Sequence, residues 1–274
     1  MSIITLTTDF GVEDWFVGTM KGVILGIQPR ASLVDITHHI PPGDIEAGAF
    51  ALAAAFRFFP RGTVHLVVVD PGVGTRRAAL AVETAQYKFV APDNGVLSLA
   101  LAQDPPKVMC RLENTKYFLK EVSRTFHGRD LFAPVAAHLS RGVSLAGLGP
   151  RVHECVRLIM PEPRKEAGRI LGVVRYVDRF GKATTNIHQT ALTEPDKAGL
   201  KVRVSGKRAS FPVCPSYESV KRGQPLGIFG SSGLLEIAVN GGSAAKMIGL
   251  AKGDPVVLEE RGSTRFALRR TRRL

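Results

Sequence analysis

A chain of 274 residues, 45% hydrophobic and 22% charged, has the balance of a soluble globular protein and is long enough for one large domain or two modest ones. No stretch approaches the roughly 18 to 20 uninterrupted apolar residues of a membrane span. "MSIITLTTDF" meets an acid before any signal-like apolar region forms, so a cytoplasmic protein without membrane association is expected. The net charge of +13 points toward polyanions, but six of those charges are arginines of the terminal "RGSTRFALRRTRRL", which reads as a solvated tail without a nucleic-acid fold signature; specific nucleic-acid binding is not expected.

In chain order, "SIITLTTD" reads as a strand ending on Asp9, and "EDWFVGTMKGVILGIQP" as an amphipathic helix stopped by Pro29. "SLVDI" is the next strand, and "GDIEAGAFALAAAFRFFP" a helix with Asp44 as its N-cap that stops before Pro60. "TVHLVVVD" follows, a continuous apolar run of the kind buried on both faces of a sheet, ending on Asp70. This alternation, continued to about Pro150, predicts an α/β N-terminal domain with a largely parallel sheet over residues 1–160. Asp9 and Asp70 then fall on the same rim, at strand ends where open α/β sheets bind ligands. The two prolines and the charges of "MPEPRKEAGR" suggest a linker over 161–168. Beyond it, short runs such as "ILGVVRYVD", "LKVRVSG" and "PVVLEE" predict a smaller all-β domain, barrel or sandwich, over 169–261, followed by the basic tail 262–274.

Three constellations stand out. In "DPGVGTRR" the glycines Gly72 and Gly74 permit a tight turn or a close approach to a ligand; the motif lacks the ending of a Walker loop, and "AALAVET" continues as strand rather than as the helix of a dinucleotide fingerprint. In "TFHGRDLFAPVAAHL" His127 and Gly128 precede a helix expected to begin at Asp130, where amide donors can polarise an imidazole. In "YVDRFGKATTNI" and "GIFGSSGLLEIAVNGGSAA" the glycines, small hydroxyls and acids fit either β-turn chemistry or a site. Cys110, Cys155 and Cys214 are odd in number and dispersed, and the adjacent His38 and His39 point apart without an acid at ligand spacing, so neither a disulfide framework nor a metal site is expected.

Taken together, "TTDFG", "MKGVI", "VDPGVGT", "APDNG", "TFHGRD", "DRFG…TNI" and "SSGLLEIAVN" resemble, in the same order and over nearly the whole chain, the S-adenosyl-L-methionine hydroxide adenosyltransferases, relatives of the adenosyl-fluoride and adenosyl-chloride synthases. The resemblance implies attack of water or hydroxide on C5′ of S-adenosyl-L-methionine, giving adenosine and L-methionine, with no metal or other cofactor. It places the family's catalytic triad on Asp70, Arg77 and His127, and implies a homotrimer in which the first domain of one subunit and the second domain of its neighbour share the substrate. The alternatives are a halogenase forming 5′-halo-5′-deoxyadenosine and a non-catalytic adenosine or S-adenosyl-L-methionine binder.

The same resemblance assigns the ribose hydroxyls to Asp9, with Asp14, Trp15 and Phe16 beside it and Gly128 next to the triad. Asp178 and Ser231 correspond to partners of the methionine amino group. Tyr217 is implied as a stacking face for adenine, with Asn240 and Gly241 meeting its edge through backbone groups and Glu236 and Val239 nearby. Two positions depart from the relatives: Lys182 stands where they usually carry Asn, and Ser232 where the fluorinating relative carries Arg.

Overall fold

A computed structural model describes residues 2–192, 199–207 and 210–259, so the basic tail lies outside the described residues. The chain divides into two compact units between Ile159 and Met160.

The first unit is built on a mixed sheet of seven strands: β1 (Ser2–Thr8), β2 (Ala31–Thr37), β3 (Val64–Val68), β4 (Ala79–Glu83), β5 (Lys88–Pro92), β6 (Val108–Arg111) and β7 (Arg151–Val152), in the order β2-β1-β3-β5-β4-β6-β7. β2, β1, β3 and β5 run parallel, while β4, β6 and β7 pair antiparallel. The principal helices are α1 (Phe16–Ile27), α2 (Ile45–Ala55), α3 (Ser98–Gln103) and α4 (Ala133–Ser140). Asp44 caps α2 as expected, its carboxylate accepting from Ala47 N–H at 3.0 Å.

The central strand shows why its sequence is apolar throughout. Val64, Leu66 and Val68 join the core formed with Met20 and Ile24 of α1 and Ala133, Ala136 and Ala137 of α4. The alternate residues face the other layer: His65 meets Phe56 edge-on, and Gly48 of α2 comes so close that a Cβ there would lie 2.9 Å from Val69. Register does the rest. Thr8 of β1 pairs with Val68 of β3, so the residues that follow, Asp9 and Asp70, leave the sheet at one end.

The second unit is a sheet of β8 (Arg164–Glu166), β9 (Arg169–Val177), β10 (Ala183–His188), β11 (Lys201–Val204), β12 (Ser210–Pro212), β13 (Pro225–Phe229), β14 (Leu234–Val239) and β15 (Pro255–Glu259). Its order is β12-β11-β15-β9-β10-β14-β13, with β8 on β9 and all ladders antiparallel. A bridge from Val213, just past β12, to Gly227 of β13 brings the two ends of this order together, giving a nearly closed barrel around Val174, Ile187, Val202, Leu235 and Ile237. Within residues 161–168, the charges of Arg164–Glu166 decorate an exposed strand. Ala167 (φ 45°) and Gly168 (φ 75°) form the two-residue turn back to β9, both left-handed, as a hairpin with the twist of its strands requires.

His65 is buried among Phe56, Phe59, Tyr87 and Phe89, with its Nδ1 at 2.7 Å from Thr5 Oγ1. Burial alone pushes its pKa down to about 3. The unfolded chain therefore binds the proton more readily between the ordinary imidazole value of roughly 6.5 and about 3, and the stability His65 contributes is complete above that window and lost as pH falls through it. Urea unfolding of the wild type and His65→Gln at pH 7 and pH 5 is expected to show the wild type losing more stability on acidification, by up to about 1.4 kcal/mol per pH unit.

Candidate active site

β3 delivers Asp70 to the rim and the following turn folds the chain straight back. Val73 N–H donates to the Asp70 carbonyl (3.2 Å) and Thr75 N–H to that of Gly72 (3.2 Å). Arg77 then meets Asp70 in a forked contact, Nε donating to Oδ1 at 2.8 Å and Oδ2 at 3.0 Å while Nη2 also bonds Oδ2. Gly74 (φ +75°) makes a second loop reachable: a Cβ there would sit 2.2 Å from the Arg124 carbonyl oxygen, so the Asp70 turn rests directly on the backbone leading to His127. The outcome is a chain of three side chains, with Arg77 Nη2 at 2.9 Å from His127 Nδ1 and the guanidinium carbon 5.2 Å from the Phe132 ring centroid.

The hydrogen bond assigns a tautomer. Arginine carries donors only, so His127 Nδ1 accepts and the neutral ring holds its proton on Nε2. Burial holds the imidazole pKa below its ordinary value, the Arg77 charge pushes the same way, and Asp70 and Asp130 act against them. The expected helix start moves slightly. Gly128–Phe132 forms a π-helical turn running into α4, and Asp130, fully buried within it, ties the preceding loop by accepting from Ser123 N–H at 2.8 Å and Arg129 Nε at 2.5 Å. Gly128 is tightly packed, a Cβ there lying 3.2 Å from both Met20 Sδ and Phe126 Cε2. A cavity of about 450 Å³ opens against the triad, walled by Arg76, Arg77, Arg111 and His127 among others.

Asp9 sits on the same rim, accepting from the Gly43 amide at 2.8 Å. Burial raises its pKa, the Gly43 amide opposes this, and the Asp70 charge adds to the rise, which places the two carboxylates within electrostatic reach. Phe16 packs with Phe10 and Phe126 under this region, whereas Asp14 and Trp15 are exposed at the start of α1. Gly43 and Phe132 escape sequence reasoning, only the turn signal "PPGD" hinting at the first, and Asp130 is read there as a helix start rather than as the tie of the preceding loop.

In the second unit the other expected residues also gather. Lys182 Nζ lies 2.8 Å from Glu236 Oε2 and 3.5 Å from Asp178 Oδ2, and the Lys182 amide donates to Asp178 Oδ1 at 2.8 Å. Lys182, Tyr217, Val239, Asn240 and Gly241 line a cavity of about 660 Å³ with Phe180, which the sequence argument had not singled out. Asn240 is occupied differently from expectation: its N–H donates to Gln224 O (3.0 Å), its carbonyl accepts from Gly223 (2.8 Å) and its Nδ2 donates to Val220 O (2.9 Å), so its backbone builds the wall. Ser231 and Ser232 form the tip of the β13–β14 turn, closed by Gly233 N–H on Gly230 O at 2.9 Å. Among the described residues no group of three or more His, Cys, Asp or Glu is placed to hold a metal ion. His38 is buried against Asp35 and Thr8 while His39 faces outward.

Residues 4–149 match the SAM hydroxide adenosyltransferase N-terminal domain and residues 172–257 the C-terminal domain of the same family. The chain belongs to the SAM hydroxide adenosyltransferase family. It is 41% identical to the (R)-S-adenosyl-L-methionine hydrolase of Thermus thermophilus, over 94% of this chain and all of the relative, and 30% identical to a fluorinase of Actinoplanes sp. over 92% and 95% of the two chains. A crystal structure of an uncharacterized conserved protein from Thermotoga maritima superposes with a TM-score of 0.87 at 39% identity, covering 93% of this chain and 99% of the other. The hydrolases thus stand nearer to this member of the SAM hydroxide adenosyltransferase family than the fluorinases do.

Two measurements test the geometry. The His127 imidazole, followed by NMR, is expected to titrate below its ordinary value and to move upward in Arg77→Ala, which removes one of the two groups of forces holding it neutral. Gly74→Ala is expected to cost about 1 to 3 kcal/mol for the left-handed backbone, read by denaturant unfolding, and more if the Arg124 backbone cannot retreat.

Proposed function

We propose that this protein hydrolyses S-adenosyl-L-methionine to adenosine and L-methionine through oxygen attack at C5′. The names of the hydrolase relatives support the (R) sulfonium epimer as the substrate. The observation that carries the reading is the Asp70–Arg77–His127 chain with a neutral, Nε2-protonated imidazole. A sulfonium leaves as a neutral thioether, so no general acid is needed and the demand on the site is a positioned nucleophile. Arg77 and the His127 Nε2–H supply donors and positive charge for hydroxide, and Asp70 fixes the guanidinium. Water gives up one proton before attack, the hydroxide oxygen then bonds C5′ and keeps the other proton as the 5′ hydroxyl, and the C5′–S electron pair goes to sulfur. His127 Nδ1, engaged by Arg77, is not the acceptor of that first proton.

Asp9 is the group for the ribose hydroxyls, with Asp14, Trp15, Phe16 and Gly128 around the same rim, and Asp178 and Ser231 serve the methionine amino group with Ser232 beside them. Tyr217 offers the face for adenine, with Val239, Asn240 and Gly241 forming the wall. No metal or other cofactor enters this scheme. These residues divide between the two units, and we read the assembly as a homotrimer whose sites join the first domain (1–160) of one subunit to the second domain (169–261) of its neighbour. The large exposure of Trp15 (68%) and Phe180 (76%), one in each unit, is apolar surface that such contacts would cover. No helix among the described residues is long and apolar enough to cross a membrane, which suits the cytoplasmic location we propose.

Incubation with S-adenosyl-L-methionine in oxygen-18 water is expected to label the 5′ hydroxyl of adenosine by mass spectrometry; a 5′-chloro product in chloride buffer would instead favour a halogenase, and binding without turnover a sensor. His127→Ala and Arg77→Ala are each expected to lower kcat by roughly 10²- to 10³-fold with little change in substrate affinity. Tyr217→Ala should weaken binding by about 1 to 2 kcal/mol. Light scattering should give a trimer, and a fully active monomer would remove the shared site.

A further inference from the structure

The cavity of the second unit contains one charged side chain, Lys182, and its ammonium is held from two sides. Glu236, itself 8% exposed, takes one N–H at 2.8 Å, and the Asp178 carboxylate is an ion-pair partner at 3.5 Å. Gly230 keeps Glu236 in place through lack of a side chain, since a Cβ there would lie 2.2 Å from Glu236 Oε1. Asp178 also accepts from the Lys182 amide at 2.8 Å, so the residue is pinned at backbone and tip. An ammonium has three donors and no acceptor, so N–H donors beyond the one held by Glu236 remain for whatever occupies the cavity.

Most other polar groups of the wall are already bonded, the Gly241 N–H being an exception among the described contacts. The Asn240 amide, carbonyl and side-chain nitrogen are bonded to Gln224, Gly223 and Val220, and the Gly242 N–H donates to the Val239 carbonyl at 3.2 Å. Phe180 and Tyr217 contribute flat apolar faces that suit a planar ring. A ring between them thus presents an edge to a fixed cationic donor. Such a donor accepts an unprotonated ring nitrogen or an oxo group and repels an exocyclic amine.

We propose that Lys182 is the specificity-determining residue of this cavity, donating an N–H not taken by Glu236 to an unprotonated ring nitrogen of a purine base. The inference rests on the reading of this cavity as the adenine pocket and adds the atom class by which the base is read. The Glu236 and Asp178 contacts act as the clamp that pre-orients the donor.

The test is calorimetric titration of the full-length protein with adenosine and with 1-, 3- and 7-deazaadenosine, each of which replaces one ring nitrogen by C–H. In the wild type one analogue is expected to bind about tenfold or more weakly than adenosine, the scale of a hydrogen bond to a charged group, while the other two stay within about threefold. In Lys182→Met that one gap should close. Because Lys182→Met leaves Glu236 unpaired at a nearly buried position, the double variant Lys182→Met/Glu236→Gln is titrated in parallel, with thermal unfolding to show that both remain folded. A gap of equal size in the wild type and in the folded variants, or no gap in the wild type, overturns the role of Lys182. Failure of adenosine itself to bind the wild type overturns the reading of the cavity.

Discussion

The forked contact between Arg77 and Asp70 is the constraint around which the first unit arranges its site. Both side chains are nearly buried, 11% and 5% exposed, and a buried charge is tolerated only when its partners are supplied in good geometry. On the guanidinium side the carboxylate takes Nε and Nη2, His127 Nδ1 takes Nη2 as well, Nη1 reaches only the Ala78 carbonyl at 3.5 Å, and the Phe132 ring lies beneath the planar cation. Every one of those partners depends on a loop being where it is. The glycine turn sets Arg77, the Gly74–Arg124 approach sets the distance between the two loops, and buried Asp130 secures the second loop from below.

The second unit solves a related problem with the opposite sign. Asp178 and Glu236 would be two adjacent carboxylates, and Lys182 between them leaves one net negative charge in the trio. Burial works against the Lys182 ammonium, but Glu236, Tyr217 and Asp178 outweigh it and raise its pKa, so the lysine stays charged throughout the neutral range. A residual negative charge beside a cavity with aromatic walls is a setting for a ligand that joins a cationic group to a flat ring, which is the description of a sulfonium amino acid carrying a nucleobase.

Much of this was legible in the sequence because the relevant signals are local. The apolar run Val64–Val69 identifies a strand buried on both faces, and the acids at the ends of two strands identify a rim, since parallel register then brings Asp9 and Asp70 to one side. The Arg164–Glu166 strand is illegible for the opposite reason: its side chains are charged and exposed, so pairing with β9 rests on backbone bonds and on the Ala167–Gly168 turn rather than on hydrophobic pattern. Lys182 was legible as a departure but not as an ion pair, because Glu236 reaches it across a ladder of β10 and β14, where Thr184 pairs with Glu236.

Histidines mark where residue type stops carrying information and surroundings begin. His65 lies in an aromatic cage with a single hydroxyl contact and is too basic-averse to ionise near neutrality; His38 bridges Asp35 and Thr8 in the core. His127 is neutral for a different reason, because its Nδ1 lone pair is committed to a permanently charged guanidinium. Protonation there would place two cations within one hydrogen-bond length, so the ion pair that orders Arg77 also dictates that the imidazole present an N–H at Nε2. A ring so constrained is poorly suited to accept a proton and well suited to hold an anion, and a nucleophile that is itself an anion is what displacement of a neutral thioether calls for.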